Sequence, residues 1–98
     1  MRARGRSFIL WAMADFDANS FASSTALEPR QAEVFLFLYG HLGATVSLEQ
    51  ILQHLYAKFE RPNPKNVAIF IHYIRKKLPE HLKITTVTRR GYRMEIID

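Results

Sequence analysis

The 98-residue sequence contains no cysteine. This absence excludes a disulfide-stabilised scaffold and any metal site built on thiolates, and it is compatible with a reducing cytoplasm. No apolar run approaches the roughly 20 residues that a membrane-spanning helix requires. We therefore expect a cytoplasmic protein that does not cross a membrane.

Acidic residues are nearly missing from one third of the chain. Residues 61–93 contain nine Lys or Arg and one acidic residue, Glu80, which gives a formal charge of 9 − 1 = +8. Residues 1–60 hold five basic and six acidic side chains, 5 − 6 = −1, and the whole chain carries +5. A charge excess confined to one region is typical of a surface that faces phosphates. A solvated basic face without a ligand accounts for the composition equally well.

Patterns that carry catalysis are also missing. The sequence has no nucleophile beside a base, no Gly-rich phosphate loop and no paired carboxylates in an apolar run. No two histidines share one helical face at metal-ligand spacing. We therefore expect no catalytic residue, no metal site, no cofactor and no small-molecule substrate. The four histidines are His41, His54, His72 and His81. We expect His41 and His54 at the surface or in capping positions.

Length and composition predict one globular domain, since 48% of the residues are hydrophobic. Residues 1–26 are expected to form an N-terminal segment of short strands or irregular structure, with residues 27–98 as the domain proper. The apolar stretch from Phe8 to Ala14 is at the short limit for a secretory signal, and Asp15 and Asp17 follow it closely. We therefore expect it to belong to the fold, as a strand or a helix. The small polar residues of 18–26 predict a loop or irregular edge.

Three helices are predicted in the domain. The first spans 29–42 and is apolar on nearly all sides, because Leu36 and Phe37 lie off the main apolar face. The N-terminal segment or a partner chain must cover it, so a homodimer is one alternative. The second helix begins with a capping box at Ser47 and ends near Tyr56 or Ala57. The third spans 64–78.

The third helix has two different faces. At 100° per residue, one face is a core stripe and the opposite face is basic and partly apolar. A helix of this kind fits the major groove of B-DNA. The core stripe consists of Val67, Ile71, Ile74 and Leu78. The outer face consists of Lys65, Ile69, His72 and Lys76, bordered by Ala68 and Tyr73, with Arg75 and Lys77 on its shoulders.

A β-hairpin is predicted after the third helix. The runs "KITTVT" (83–88) and "YRMEII" (92–97) have strand character, and "RRG" between them forms a short turn in which Gly91 can take a positive φ. Arg89 and Arg90 at the tip are positioned to reach the DNA backbone or the minor groove. Phosphate contacts there supply affinity through counterion release.

Four stretches carry a resemblance to a known family: "LEPRQAEVFLFL", "VSLEQIL", "VAIFIHYIRKKL" and "TVTRRGYR". In order and spacing they are similar to the DNA-binding domain of OmpR/PhoB-type response regulators. The resemblance runs from Leu27 to Met94. It implies an α+β winged helix-turn-helix, with a three-helix core, a C-terminal hairpin wing at 84–97 and a short N-terminal strand region.

The resemblance implies a sequence-specific regulator of transcription that binds double-stranded DNA, from a bacterium or a bacterial virus. Helix 64–78 would enter the major groove and the wing would contact the adjacent backbone or minor groove. The loop between the second and third helices often contacts RNA polymerase in the family, although here it is equally well a simple connector. The loop candidates are Phe59, Glu60 and Arg61, and the DNA-contact candidates are Lys65, Ala68, Ile69, His72, Tyr73, Arg75, Lys76, Thr88, Arg89 and Arg90.

The chain departs from the family pattern at positions that matter for binding. His72 and Tyr73 stand where the family has paired arginines, and Arg89 and Arg90 replace a glycine and a variable residue. We therefore expect more apolar contact from the helix, through Ile69, and more charge from the wing. The lower helix charge also fits a winged helix that binds RNA polymerase or another transcription factor instead of DNA.

Residues 1–26 are too short to hold the receiver domain that usually precedes this fold. Control by aspartyl phosphorylation within this chain is therefore not expected. Abundance, oligomerisation or a partner would regulate its activity instead.

Overall fold

The computed structural model describes residues 17–25, 27–59 and 63–97. The strands form one antiparallel sheet in the order β1-β3-β2, packed against the helices. This confirms the α+β architecture with a C-terminal hairpin. Within the described residues no helix has the length and apolar content to cross a membrane. The elements are α1 (Ala18–Ser24), α2 (Pro29–Gly40), β1 (Thr45–Val46), α3 (Leu48–Tyr56), α4 (Pro64–Lys77), β2 (Leu82–Val87) and β3 (Gly91–Ile96).

Helix α1 corrects the sequence-based expectation of a loop or irregular edge over 18–26. The Asp17 carboxylate accepts hydrogen bonds from the backbone N–H groups of Asn19 and Ser20 at 3.0 and 3.2 Å, which caps the helix. The Phe21 ring packs on Phe35 of α2, with ring centroids 5.0 Å apart. This tertiary contact outweighs the weak helix propensity of a serine-rich segment. The predicted structure of residues 1–16 lies outside the described residues.

Helix α2 is covered on two sides, which accounts for its apolar excess. Phe35 is fully buried beneath α1. Phe37, on a different side, stacks on His54 of α3 with ring centroids 4.6 Å apart. The helix ends at Gly40, two residues earlier than predicted, because the His41 N–H bonds to the Leu38 carbonyl and tightens the last turn.

Helices α3 and α4 begin at side-chain caps. The predicted capping box at Ser47 is confirmed: Gln50 N–H donates to Ser47 Oγ at 3.1 Å, and Ser47 N–H donates to Gln50 Oε1 at 2.8 Å. Asn63 caps α4 by accepting from the Lys65 N–H at 2.9 Å. Three residues of the predicted core stripe of α4 are buried, Val67, Ile71 and Ile74, whereas Leu78 is half-buried and follows the end of the helix.

The hairpin is one residue earlier than predicted on both strands. The Arg90 N–H donates to the Val87 carbonyl at 2.9 Å and closes a four-residue turn. Thr88 therefore lies in the turn, and Gly91 pairs with Val87 as the first residue of β3. Met94 is fully buried and pairs with Ile84, which fixes the inner face of the sheet on the helices.

Candidate nucleic-acid interface

The outer face of α4 is open to solvent as the sequence predicted. Ile69 keeps 49% and Tyr73 44% of its surface exposed, although both are large apolar side chains. The His72 and Tyr73 rings pack edge to face with centroids 5.6 Å apart, so they form one aromatic pair on this face. The exposed residues are Lys65, Ala68, Ile69, His72, Tyr73, Arg75 and Lys76.

The wing tip is a tight turn with two arginines on it. Thr88, Arg89 and Arg90 are all exposed. Arg89 has φ = 64°, the only positive φ of a non-glycine residue in the described ranges. This conformation costs an L-residue other than glycine about 1–2 kcal/mol. The turn therefore holds a long cationic side chain at a position that glycine would occupy without strain.

The wing lies against the start of α3. A groove of about 330 Å³ runs between them, bordered by Leu48 on one side and by Arg89 and Arg90 on the other. Gly91, with φ = 143°, lies close to the backbone of Val46 and Ser47. A side chain at position 91 would collide with that backbone, so the close approach of β3 to the β1–α3 junction depends on glycine.

Arg75 joins α4 to the base of the wing. Its Nε–H donates to the Ile84 carbonyl at 3.1 Å, and its Nη2–H donates to Thr86 Oγ1 at 2.8 Å. Both acceptors belong to β2, an edge strand of the sheet. Sequence reasoning placed Arg75 among the DNA contacts and did not anticipate these bonds.

On the face of the sheet that points away from the helices, a carboxylate pairs with the neighbouring cations. Glu95 pairs with Arg93 at 2.9 Å (Oε2 to Nε) and with Lys83 at 3.8 Å (Oε1 to Nζ). The Thr85 hydroxyl donates to Glu95 Oε1 at 3.0 Å. This hydrogen bond, opposed in part by burial and assisted by the charges of Arg93 and Lys83, lowers the pKa of the Glu95 carboxyl below its ordinary value.

The cations of the basic region therefore fall into two groups. Arg75, Lys83 and Arg93 are engaged by protein groups, and Lys77 also has an interaction within the protein. Arg61 lies outside the described residues. Among the described residues, four others have no hydrogen bond or ion pair within the protein, although the Lys76 ammonium lies 6.0 Å from the Tyr73 ring centroid. These four, which we call the open cations, are Lys65, Lys76, Arg89 and Arg90.

The loop before α4 is only partly described. Phe59 is half-buried against the core, and the Arg30 guanidinium lies over its ring at 4.9 Å from the centroid. The two other predicted partner contacts, Glu60 and Arg61, lie outside the described residues. The structure therefore gives Phe59 a packing role and leaves the predicted polymerase contact untested.

The two histidines expected at the surface or in capping positions make local contacts. His54 Nε2 lies 2.9 Å from Glu33 Oε1, and the Lys58 ammonium lies 3.9 Å from the second oxygen of that carboxylate. His41 Nδ1–H donates to the Phe37 carbonyl at 2.9 Å, one turn earlier in α2. These contacts join α2 to α3 and close the end of α2, on residues other than those predicted to contact DNA.

Comparison with known proteins gives a consistent assignment. The sequence pattern of the family described as "Transcriptional regulatory protein, C terminal" matches residues 22–94. The transcriptional regulatory protein TctD of Salmonella typhimurium is 30% identical over 71 residues, which cover 71% of this chain. The chain spans 32% of the length of that relative.

Two solved structures are similar in both fold and sequence. The DNA-binding domain of Bacillus subtilis CssR superposes with a TM-score of 0.59 at 29% identity, covering 69% of this chain and 76% of that one. The DNA-binding domain of Escherichia coli CadC superposes with a TM-score of 0.60 at 26% identity, covering 72% and 70% respectively. Both are winged-helix neighbours of the fold described above.

Proposed function

Since the chain belongs to the family of C-terminal domains of transcriptional regulatory proteins, we propose that it binds double-stranded DNA sequence-specifically and thereby regulates transcription. The observation that supports this most directly is the set of open cations on α4 and the wing tip. Four cationic side chains that have no hydrogen bond or ion pair among the described residues suit a surface that contacts phosphates. On this proposal the domain is not an enzyme, and it acts in the cytoplasm, where bacterial DNA lies.

Helix α4 is proposed as the recognition helix in the major groove. Its exposed apolar residues, Ala68 and Ile69, suit contact with thymine methyl groups. The His72 ring and the Tyr73 hydroxyl offer hydrogen-bonding groups to base edges or phosphates. Lys65 and Lys76 lie near the two ends of the helix and suit phosphates on either side of the groove.

The wing is proposed to contact the neighbouring backbone and minor groove through Thr88, Arg89 and Arg90. The two arginines supply charge that the family pattern places on the recognition helix. Contact of the 59–61 loop with RNA polymerase, and self-association of the domain, stay predictions from the family resemblance.

Salt dependence of DNA binding tests the proposal. Binding to duplexes selected from a random library should be measured from about 50 to 200 mM salt, where each phosphate contact contributes about −0.9 to the slope of log K against log salt. A steep negative slope is expected for the parent. Arg89→Ala with Arg90→Ala should weaken binding to all duplexes about equally and reduce the magnitude of the slope by about 1–2.

The matched control changes two cations on the far face of the sheet. Lys83→Ala with Arg93→Ala removes the same number of positive charges, but both side chains are paired with Glu95. We expect a much smaller change in slope. Absence of DNA binding even at low salt would overturn the proposal and favour a protein partner.

A further inference from the structure

We propose, resting on the DNA-binding function above, that Arg75 is a positioning residue that fixes the wing against the recognition helix and does not act as a phosphate contact. The bonds from α4 to Ile84 and Thr86 on β2 carry this inference. The sequence placed Arg75 among the predicted DNA contacts at the basic end of the helix. The geometry assigns it to the junction between the two DNA-contacting elements.

The guanidinium bonds two residues of β2 that lie two positions apart, the backbone carbonyl of Ile84 and the side-chain hydroxyl of Thr86. A strand at the edge of a sheet has carbonyls without a partner strand, and Ile84 offers one of them. The second bond, to Thr86 Oγ1, lies two residues before Thr88, where the turn begins. One planar group therefore fixes the last turn of α4 to the first strand of the wing.

A lysine cannot reproduce this arrangement. Arginine presents several N–H donors in a fixed plane, whereas the lysine ammonium is a point charge on a flexible stem. The two bonds leave from Nε and Nη2, which are held at a fixed angle. Replacement by lysine therefore keeps the charge and loses the pair of N–H donors at a fixed angle. A phosphate contact made by a single charge would survive this replacement, whereas the two bonds to β2 would not.

The consequence for binding is geometric. When α4 lies in the major groove, the distance from α4 to the wing tip decides whether Arg89 and Arg90 reach phosphates at the same time. A mobile wing loses conformational entropy when it binds DNA, and this loss weakens binding. A wing that is already fixed in the free protein loses less. We expect loss of the Arg75 bonds to β2 to weaken DNA binding about three- to tenfold, a size typical of one lost hydrogen bond.

Three variants test the role of Arg75. Arg75→Lys keeps the charge, Thr86→Val removes one acceptor and changes no charge, and Arg75→Ala removes the charge. The parent and each variant should be assayed for DNA affinity and its salt slope. Amide hydrogen exchange of residues 82–96 should be measured on the free proteins, with urea unfolding to establish the folded fraction.

Under the positioning role, Arg75→Lys and Thr86→Val both weaken binding and both speed exchange in the wing of the free protein. The salt slope of Arg75→Ala then stays close to that of the parent. Lys76→Ala is the control, because it removes an open cation from the same helix and should reduce the slope by about 0.9.

Parent-like affinity of both Arg75→Lys and Thr86→Val, with a slope reduced by about 0.9 in Arg75→Ala, would overturn the assignment in favour of a phosphate contact. Failure of the parent to bind DNA would contradict the proposed function instead. Hydrogen exchange of the wing in the DNA-free protein still tests the role of the Arg75 bonds in that case.

Discussion

Gly91 and Val46 lie so close together that no side chain fits between them. A Cβ built on Gly91 would stand 2.8 Å from the Ser47 Cα and closer still to the Val46 carbonyl oxygen. Gly91→Ala must therefore move β3 away from β1, and φ = 143° is also unfavourable for alanine. We expect a loss of about 1–3 kcal/mol in the free energy of unfolding, together with weaker DNA binding.

Gly40→Ala is the matched control for that substitution. No atom outside its own helix lies within 4 Å of a Cβ built on Gly40, the last residue of α2. Its stability, measured by urea unfolding, should equal or slightly exceed that of the parent, because alanine favours a helix by up to about 1 kcal/mol. Equal effects of the two alanines would contradict the packing explanation.

Arg89→Gly should separate stability from binding. Glycine relieves the positive φ of 64°, so we expect the folded state to gain up to about 1 kcal/mol. The same change removes an open cation, and DNA affinity should fall. Arg89→Ala, which loses the charge and keeps the strain, should match Arg89→Gly in affinity but not in thermal stability. If both variants bind like the parent, the turn has no role in affinity.

Ile69→Ala and His72→Ala should change which DNA sequences are preferred. Both side chains are exposed, so stability should stay within about 0.5 kcal/mol of the parent. Discrimination at one or two base pairs should weaken by about 1 kcal/mol, as for the loss of a direct base contact. Competition with single-base variants of the selected site measures this. A uniform loss across all sites would instead indicate phosphate contacts.

Phe21→Ala should destabilise the domain through the contact between α1 and α2. Phe21 packs on the fully buried Phe35, and truncating a half-buried phenylalanine should cost about 1–3 kcal/mol. Ser23→Ala, on the exposed side of the same helix, should leave stability nearly unchanged. If both variants unfold at the same urea concentration as the parent, α1 does not contribute to the core.

Acid should weaken the outer face of the sheet through Glu95. The folded state lowers the pKa of this carboxyl below its ordinary value of 4.5. Its stabilising contribution is therefore present above the unfolded pKa and is lost as the pH falls through the folded pKa. Glu95→Gln should flatten the decline in unfolding free energy below about pH 4.5. Thr85→Val removes the largest cause, and NMR titration should show the Glu95 pKa rising.

The buried and exposed faces of α4 could be predicted because helical periodicity separates them. The buried Val67, Ile71 and Ile74 and the exposed residues opposite them follow directly from 3.6 residues per turn. The hairpin also follows from its β-branched strands and its glycine. These signals are local, so the sequence contains them in full.

The features that sequence reasoning missed depend on contacts between distant segments. The start of α1 has a local signal, Asp17 followed by Asn19 and Ser20, but the contact with Phe35 that stabilises it is not local. The acceptors of Arg75 lie nine and eleven residues further along the chain. The positive φ of Arg89 is invisible because the residue type argues against it.

The pairing of Lys83 and Arg93 with Glu95 also has a consequence for how the domain approaches a duplex. Positive charge is neutralised on one side of the sheet and is not neutralised on α4 and the wing tip. The charge distribution of the molecule is therefore uneven. Because of this uneven charge, the electrostatic potential around a polyanion rotates the protein so that α4 and the wing tip face the polyanion before contact. Encounters in the wrong orientation should thereby become less frequent, and they should become more frequent when Glu95 no longer masks its neighbours.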